Sequence, residues 1–375
     1  MSFRYQSGIN KPGFNPLGAQ TSVTYYNLYS WGNNSSGQLG LNNVTSYSSP
    51  KQVGSLIDWL KISSIGSSSL SIKTDGTLWS WGANGQGQLG LGNITNYSSP
   101  KQVGSLTAWS NITRGSLSTS SLAIKTDGTL WVWGQNSNGQ LGLGNVTQYS
   151  SPKQVGALTT WVTVASGNNF SGAIKSDGTL WTWGNNAFGQ LGIGNITKYS
   201  SPKQVGSLTT WSKISGGGNV SLAIKTDGTL WSWGYNASGT LGLGNITNYS
   251  SPKQVGSLTD WLTVACGQYQ VITTKTDGTL WAWGQNNNGQ LGLNNTTYYS
   301  SPKQVGSLTT WNIIAAGNDA TFSVKTDGIL WAWGNNNLGQ LGLGSITKYS
   351  SPKQVGSLTT WSNISSGTNS TLALG

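Results

Sequence analysis

Few side chains in this 375-residue sequence could carry out acid–base, nucleophilic or metal chemistry. There is no His and no Glu, and there are nine Asp and one Cys. Three of the Asp, namely Asp58, Asp260 and Asp319, lie in different copies of a repeat. The other six recur in a Lys-x-Asp-Gly context, at Asp75, Asp127, Asp177, Asp227, Asp277 and Asp327. An active site needs titratable groups at close quarters, and a metal site needs clustered ligands. We therefore expect no enzyme, no catalytic or metal-binding residues and no cofactor.

Cationic residues outnumber acidic ones, and the formal net charge is +11. Much of this excess lies in a recurring Ser-Pro-Lys-Gln step, at Lys51, Lys101, Lys153, Lys203, Lys253, Lys303 and Lys353. Lys and Pro are typical of edge strands, where they prevent one sheet from pairing with another. The alternative is a lysine ring that contacts an anion. Among anionic partners, nucleic acid is disfavoured.

The element that must position these residues is a repeat of about 50 residues. Its Trp-Gly step recurs at Trp31, Trp81, Trp133, Trp183, Trp233, Trp283 and Trp333, with spacings of 50 or 52 residues. A period in this range is typical of solenoids, propellers and arrays. One copy predicts four strands, near residues 211–215, 220–225, 229–233 and 252–255, because alternating apolar residues are separated by turn-forming residues.

The connections within a copy have their own signals. Asp227-Gly228 predicts a two-residue type I′ hairpin turn, and Pro252 places the fourth strand at a sheet edge. The glycine-rich connection after the third strand is expected to be ordered and to pack between repeats. A recurring Asn in it (Asn34, Asn84, Asn136, Asn186, Asn236, Asn286 and Asn336) is expected to satisfy backbone groups. A recurring Tyr (Tyr47, Tyr97, Tyr149, Tyr199, Tyr249, Tyr299 and Tyr349) is expected to pack there.

The two incomplete copies at the ends of the repeat region add up to one unit. An open solenoid would need polar caps at both ends, whereas a closed ring needs none. We therefore predict an all-β, seven-bladed β-propeller over residues 23–375, built from four-stranded antiparallel blades. Six blades would start near residues 59, 109, 161, 211, 261 and 311, and a split blade, 361–375 plus 23–54, would close the ring. Residues 1–22 match no repeat and are expected to form an extended arm, either a simple tail or an anchor on a larger assembly.

The pattern Gly-Thr-Leu-Trp-x-Trp-Gly-x-Asn-x-x-Gly-Gln-Leu-Gly-x-Gly resembles the repeat of the regulator of chromosome condensation family. The resemblance covers nearly all of residues 23–375 and implies a seven-bladed propeller with a split closing blade. A phage or bacterial member is the kind we expect. The family's functions include guanine-nucleotide exchange with chromatin binding, light sensing and inhibition of β-lactamases, so function does not follow from the fold.

Positions that differ among the copies could carry specificity. They fall in the loop between the first and second strands and in the tetrapeptide after Trp-Gly. In a propeller these loops would share one face, and we expect it to bind through Phe170, Tyr269, Gln270, Asp319, Asn318, Phe188, Tyr235 and Arg114. Neutral drift in exposed loops would give the same variation, so both explanations stay open here.

The sequence therefore predicts a non-enzymatic binding or structural module. The favoured setting is the surface of a virus particle, such as a phage capsid or tail, with a host protein or glycan as the partner. The alternatives are an intracellular bacterial interaction or inhibitor module and nucleic-acid binding through the lysine ring. No stretch has the length of a membrane span and no signal peptide is evident, so a virion or cytoplasmic location is expected. Cys266 follows an apolar run and is expected to be a buried, inert thiol.

Overall fold

Strands and turns build the whole of the described structure. A computed structural model of the protein describes residues 26–112 and 119–375. In these two ranges there are 28 β-strands and no helix. The expected arm at residues 1–22 lies outside them. Among the described residues, no helix is long and apolar enough to cross a membrane.

Each copy of the repeat supplies four strands. The first strands are β3 (Trp59–Ile65), β7 (Trp109–Ile112), β11 (Trp161–Ser166), β15 (Trp211–Gly216), β19 (Trp261–Cys266), β23 (Trp311–Ala316) and β27 (Asn363–Ser366). The second strands are β4 (Ser68–Lys73), β8 (Ser120–Lys125), β12 (Phe170–Lys175), β16 (Val220–Lys225), β20 (Gln270–Lys275), β24 (Ala320–Lys325) and β28 (Ser370–Leu374). The third strands are β1 (Leu28–Gly32), β5 (Leu78–Gly82), β9 (Leu130–Gly134), β13 (Leu180–Gly184), β17 (Leu230–Gly234), β21 (Leu280–Gly284) and β25 (Leu330–Gly334). The fourth strands are β2 (Tyr47–Gln52), β6 (Tyr97–Gln102), β10 (Tyr149–Gln154), β14 (Tyr199–Gln204), β18 (Tyr249–Gln254), β22 (Tyr299–Gln304) and β26 (Tyr349–Gln354).

The strands form seven antiparallel, four-stranded sheets, here called blades 1 to 7 in the order of their first strands. Blades 1 to 6 are continuous in sequence, from β3–β6 to β23–β26. Blade 7 has the order β2-β1-β28-β27, with Leu28 opposite Leu374 and Gly32 opposite Ser370. First strands of neighbouring blades contact one another, and β27 contacts β3. The predicted seven-bladed propeller with a split closing blade is confirmed.

The hydrophobic core lies between the blades and is built on tryptophan. Trp283, in the third strand of blade 5, is fully buried, and its indole N–H donates to the carbonyl of Thr240 in blade 4 at 2.9 Å. The Trp283 ring lies 6.2 Å from that of Trp261, edge to face. Gly242 of blade 4 has a φ of +71°, and a Cβ added there would lie 2.7 Å from the Trp283 indole nitrogen. Only glycine fits, and the same contact recurs at Gly40, Gly90, Gly142, Gly192, Gly292 and Gly342.

The first strands surround a central channel of about 510 Å³, which residues of all seven blades line. Cys266 is one of these residues and is only 4% exposed. Burial raises the pKa of its thiol to about 12. A raised pKa disfavours the thiolate at neutral pH. The prediction that this thiol is buried is confirmed.

The connection between the third and fourth strands is organised by its recurring Asn, as predicted. In blade 4 the Asn236 amide donates to the carbonyls of Asn245 and Thr247, both at 3.0 Å, and its oxygen accepts from the backbone N–H of Leu241 at 2.8 Å. The side chain is fully buried. The Tyr249 hydroxyl accepts from Asn245 at 3.4 Å, so the recurring Tyr packs against the same connection.

The hairpin turn between the second and third strands differs from the predicted type I′. Gly228 has a φ of +77°, but Asp227 is not among the described non-glycine residues with a positive φ. The N–H of Gly228 donates to the carbonyl of Lys225 at 3.0 Å, as in a type I turn followed by a left-handed glycine. The Asp227 carboxylate accepts from the backbone and hydroxyl of Thr229, at 2.9 and 2.7 Å. These bonds lower its pKa and explain why this turn is preferred.

We expect Asn236→Ala to lower the free energy of unfolding by about 2–4 kcal/mol, because it leaves buried backbone groups without partners. Urea unfolding followed by tryptophan fluorescence measures the change. Asn337→Ala is the matched control: its position is exposed, and we expect a change within about 0.5 kcal/mol. Equal effects of the two substitutions would contradict the role assigned to the recurring Asn.

Candidate functional site

The variable segments of the repeat lie on one face of the propeller. Antiparallel strands bring the loop between first and second strands to the same end of a blade as the connection between third and fourth strands. In blade 4 the N–H of Tyr235, in the connection, donates to the carbonyl of Asn219, in the loop, at 2.9 Å. Gln285 and Tyr269 make the same bond in blade 5, at 2.8 Å. These loops and connections together are called the loop face below.

Backbone hydrogen bonds join the loops of neighbouring blades around the channel. The N–H of Gly218 donates to the carbonyl of Gln268 at 3.1 Å, and the N–H of Gln268 donates to the carbonyl of Asn318 at 3.3 Å. A Cβ at Gly217 would lie 2.3 Å from the Cys266 sulfur. The backbones of the loops of blades 4, 5 and 6 are thus held in close contact.

Three of the expected binding residues form one aromatic patch across three blades. The ring of Phe188, in the connection of blade 3, lies 5.0 Å from that of Tyr235, in the connection of blade 4. The ring of Tyr235 lies 5.6 Å from that of Tyr269, in the loop of blade 5. All three side chains are partly buried. Phe188, Tyr235 and Tyr269, called the aromatic patch below, form a continuous apolar surface on a face otherwise rich in Asn, Ser and Gly.

Thr240 belongs to this site, although the sequence analysis did not single it out. In blade 3, the Gln190 amide donates to the side chain of Asn219 in the next blade at 3.4 Å. Blade 4 has Thr240 in place of this Gln, and its hydroxyl donates to the backbone carbonyl of Tyr269 at 2.9 Å. Tyr269 stands where Asn219 stands in the previous blade, and its ring lies against that of Tyr235. The signal was present, since Thr240 is the one departure from Gly-Gln-Leu-Gly among the seven copies.

Asp319 and Asn318 continue the loop face in blade 6. The Asp319 carboxylate accepts from the amides of Asn318 at 3.1 Å and Gln290 at 3.4 Å. Burial raises the pKa of Asp319, and the nearby Lys348 ammonium lowers it by a smaller amount. A carboxylate whose pKa is shifted by burial beside a charged group is common at functional sites.

Two expected binding residues are not on the surface. Phe170 and Gln270 are each 1% exposed, so the expectation that they contact a partner is wrong. Each is the first residue of a second strand. The Gln270 amide donates to the carbonyl of Gly317 in blade 6 at 3.0 Å, and the Phe170 ring packs where a Cβ of Gly167 would lie. Arg114 lies outside the described residues.

The seven ring lysines lie on the fourth strands, which are edge strands as predicted. Each ammonium lies above the Tyr ring at the start of its own strand, with 5.1–5.6 Å between Nζ and the ring centroid. Cation–π attraction between each lysine and its tyrosine gives these seven lysines a structural role. Within the described ranges, no three His, Cys, Asp or Glu residues group together in a way that could hold a metal ion.

We expect Asp319→Asn to raise the free energy of unfolding at pH 7. Because the folded-state pKa is raised, the carboxyl favours folding below its unfolded pKa of about 3.9, and this contribution is lost as the pH rises through the folded value. The difference between wild type and variant should therefore vanish near pH 3. Urea unfolding at several pH values measures it. Asp227→Asn is the control of opposite sign, because hydrogen bonds to Thr229 lower that pKa. Identical pH profiles for the two variants would refute the assignment.

Family models match almost the whole propeller. The model described as "RCC1-like domain" matches residues 20–265, and the one described as "Regulator of chromosome condensation (RCC1) repeat" matches residues 277–324 and 327–374. The chain is 40% identical to mouse Protein RCC2 over 60 residues, which is 16% of this chain and 12% of that protein. It is 34% identical to the human X-linked retinitis pigmentosa GTPase regulator over 140 residues, which is 36% of this chain and 14% of that protein.

Solved structures share the fold over nearly the full length. Prp20p from Saccharomyces cerevisiae superposes with a TM-score of 0.83 at 20% identity, covering 94% of this chain and 92% of that one. Human WBSCR16 superposes with a TM-score of 0.83 at 21% identity, covering 93% and 98%. At these identities the likeness shows the fold alone. Taken with the family models, which together span most of residues 20–374, it shows that the chain belongs to the RCC1-like domain family.

Proposed function

We propose that this protein is a non-enzymatic propeller that binds a protein partner through the loop face, with the aromatic patch as its anchor. The observation that carries the proposal is the contact between Phe188, Tyr235 and Tyr269. Aromatic residues dominate the energetics of protein interfaces, because each ring buries a large apolar area with few rotatable bonds. Three rings in contact give such an interface a centre.

The surroundings of the aromatic patch suit the rim of an interface. Asn318 and Asp319 lie in the blade next to Tyr269 and are partly buried, so their polar atoms can meet donors from a partner. The burial that raises the Asp319 pKa also lowers the local dielectric, which would strengthen a hydrogen bond or ion pair to a partner. A partner with an apolar centre and a flanking Lys or Arg fits this arrangement.

Structures of similar proteins support a protein partner. One is the structure of yeast Prp20p, which is described together with its binding to Gsp1p and histones. Another shows Kap60 bound to yeast RCC1. Both share the fold at 19–20% identity. The chain matches only 10–14% of the length of its curated relatives, so neither their partners nor their activities are assigned to it.

The chemistry of the chain supports a role without catalysis. The sequence has no His and no Glu, and five of the nine Asp hold the Thr of a hairpin turn. The relatives named above are mouse, human and yeast proteins. They give no support to a place on a virus particle, and the proposal does not depend on that setting.

The test compares Tyr235→Ser/Tyr269→Ser with Ile196→Ser/Ile346→Ser in the full chain. Both pairs replace accessible apolar residues of third–fourth connections or loops, and Ile196 and Ile346 are each 65% exposed. A protein captured from the native source by the wild type is identified, purified and titrated by calorimetry. We expect the tyrosine pair to weaken its binding by at least about 30-fold, as for loss of interface anchors, and the isoleucine pair to change it little.

Three outcomes would reject the proposal. The first is an affinity that the tyrosine pair leaves unchanged. The second is captured material that a glycosidase releases, which would favour a glycan. The third is material that a nuclease removes and whose retention falls steeply with salt, which would favour nucleic acid on the lysine ring.

A further inference from the structure

Four equivalent grooves lie between neighbouring blades. Each is lined by the third–fourth connection and the end of the fourth strand of one blade, and by the first, third and fourth strands of the next. They lie between blades 2 and 3, 3 and 4, 4 and 5, and 5 and 6, and their volumes are about 400–480 Å³. In the groove between blades 3 and 4, Val205 and Leu208 come from one blade, and Trp211, Trp231 and Pro252 come from the next. Each groove is therefore a mostly apolar recess that could hold one large side chain.

Each groove presents a leucine that the fold leaves in solvent. Leu158, Leu208, Leu258 and Leu308 are 43–49% exposed, and each precedes the Trp of a first strand by three residues. All seven copies have Leu at this position, and the remaining three, Leu56, Leu106 and Leu358, are exposed as well. An apolar side chain that is exposed in every copy adds little to the core, and it offers contact area to a ligand.

A lysine lies beside the two tryptophans of each groove. The Lys175 ammonium, which lines the groove between blades 2 and 3, lies 5.0 Å from the ring centroid of Trp161 and 3.9 Å from that of Trp181. Lys225 has the same position in blade 4 and Lys325 in blade 6. Within residues 26–112 and 119–375, no carboxylate oxygen lies within 4 Å of these three ammonium groups. Burial lowers the pKa of Lys175 and Lys225, and the more distant carboxylates of Asp177 and Asp227 offset this only in part. An anion in direct contact would therefore favour the charged form further.

Two other copies show which group can pair with this lysine. In blade 1 the Lys73 ammonium lies 3.3 Å from the carboxylate of Asp58, and in blade 5 Lys275 lies 3.4 Å from that of Asp260. Asp58 and Asp260 stand directly before the Trp of the first strand, where blades 3, 4 and 6 have Thr160, Thr210 and Thr310. A side-chain carboxylate therefore fits against the lysine and the tryptophans without any change of fold.

We propose that the grooves of blades 2/3, 3/4 and 5/6 bind an extended acidic segment of a partner protein. An Asp or Glu of that segment would pair with Lys175, Lys225 or Lys325, and a neighbouring large apolar side chain would fill the recess beside Leu158, Leu208 or Leu308. The net charge of +11 favours an acidic partner. Three such grooves on one molecule would let a segment with repeated acidic–apolar pairs bind by avidity. The groove of blades 4/5, whose Lys275 already has Asp260, would bind such a pair least.

The probe is a synthetic fluorescent peptide in which Glu-Leu pairs alternate with Gly-Ser, titrated with the full chain at low salt and followed by anisotropy. The decisive variant is Thr160→Asp/Thr210→Asp/Thr310→Asp, which copies the native pairs of blades 1 and 5. We expect it to bind the peptide at least about fivefold more weakly, with an unfolding temperature no lower than that of the wild type. Thr160→Asn/Thr210→Asn/Thr310→Asn, which adds the same volume without the charge, should bind like the wild type.

The apolar part of the site has its own pair of variants. Leu158→Ser/Leu208→Ser/Leu308→Ser should also weaken binding of the peptide, by a similar factor or more. Ile196→Ser/Ile246→Ser/Ile346→Ser is the matched control, since these residues are 65–66% exposed and line none of the four grooves. It should leave the affinity unchanged.

The remaining outcomes overturn the proposal. If a Gln-Leu peptide binds as well as the Glu-Leu peptide, the carboxylate does not contribute to binding. Equal losses in the Asp and Asn variants would mean that the added volume, and not the charge, blocks binding. Binding to phosphatidylglycerol vesicles without binding to the peptide would assign the grooves to a lipid surface. No binding of the Glu-Leu peptide by the wild type would reject the site.

Discussion

The structure depends on the contact between the tryptophan of one blade and the glycine-rich connection of the blade before it. Trp283 is fully buried, donates to the carbonyl of Thr240, and packs where Gly242 leaves no room for a Cβ. The blades share their core across every boundary, including that between blade 6 and the split blade, where Trp31 meets Gly342. Because no blade buries its apolar face alone, the closed ring forms the smallest unit with a complete core.

Because the core lies between the blades, the residues at the ends of the blades are free to vary. The buried Asn236 and its equivalents hold each connection by hydrogen bonds within the same blade. The side chains next to it can therefore change without loss of the scaffold. Tyr235 stands directly beside Asn236, and Phe188 stands two residues after the equivalent Asn186. Under the proposed function, the residues that contact a partner are carried by ordered segments, which would reduce the entropy lost on binding.

The repeat made the fold predictable, because seven copies report the same strand pattern and the two end fragments add up to one blade. The hairpin turn was misjudged, since Asp-Gly permits a type I′ turn but the side chain of Thr229 favours an Asp227 with negative φ. Phe170 and Gln270 were misplaced because a variable residue at the start of a strand can face either way, and one position decides between solvent and core. The aromatic patch could not be derived, because its three rings come from three blades and meet only in the folded ring.

Equivalent positions in a repeat protein act as internal controls for what the fold requires. Asp319 occupies the position at which Asn169, Asn219 and Asn369 accept a hydrogen bond from the Gln of the preceding blade. The fold therefore does not demand a carboxylate whose pKa is raised by burial. Thr240 likewise replaces a Gln that the scaffold uses elsewhere, and the replacement accompanies Tyr269. Both exceptions lie on the loop face, in neighbouring blades. A departure that removes a scaffold contact or adds a buried charge is harder to attribute to drift than a change at a solvent-exposed position, and both departures therefore support the proposal that a partner binds at this part of the loop face.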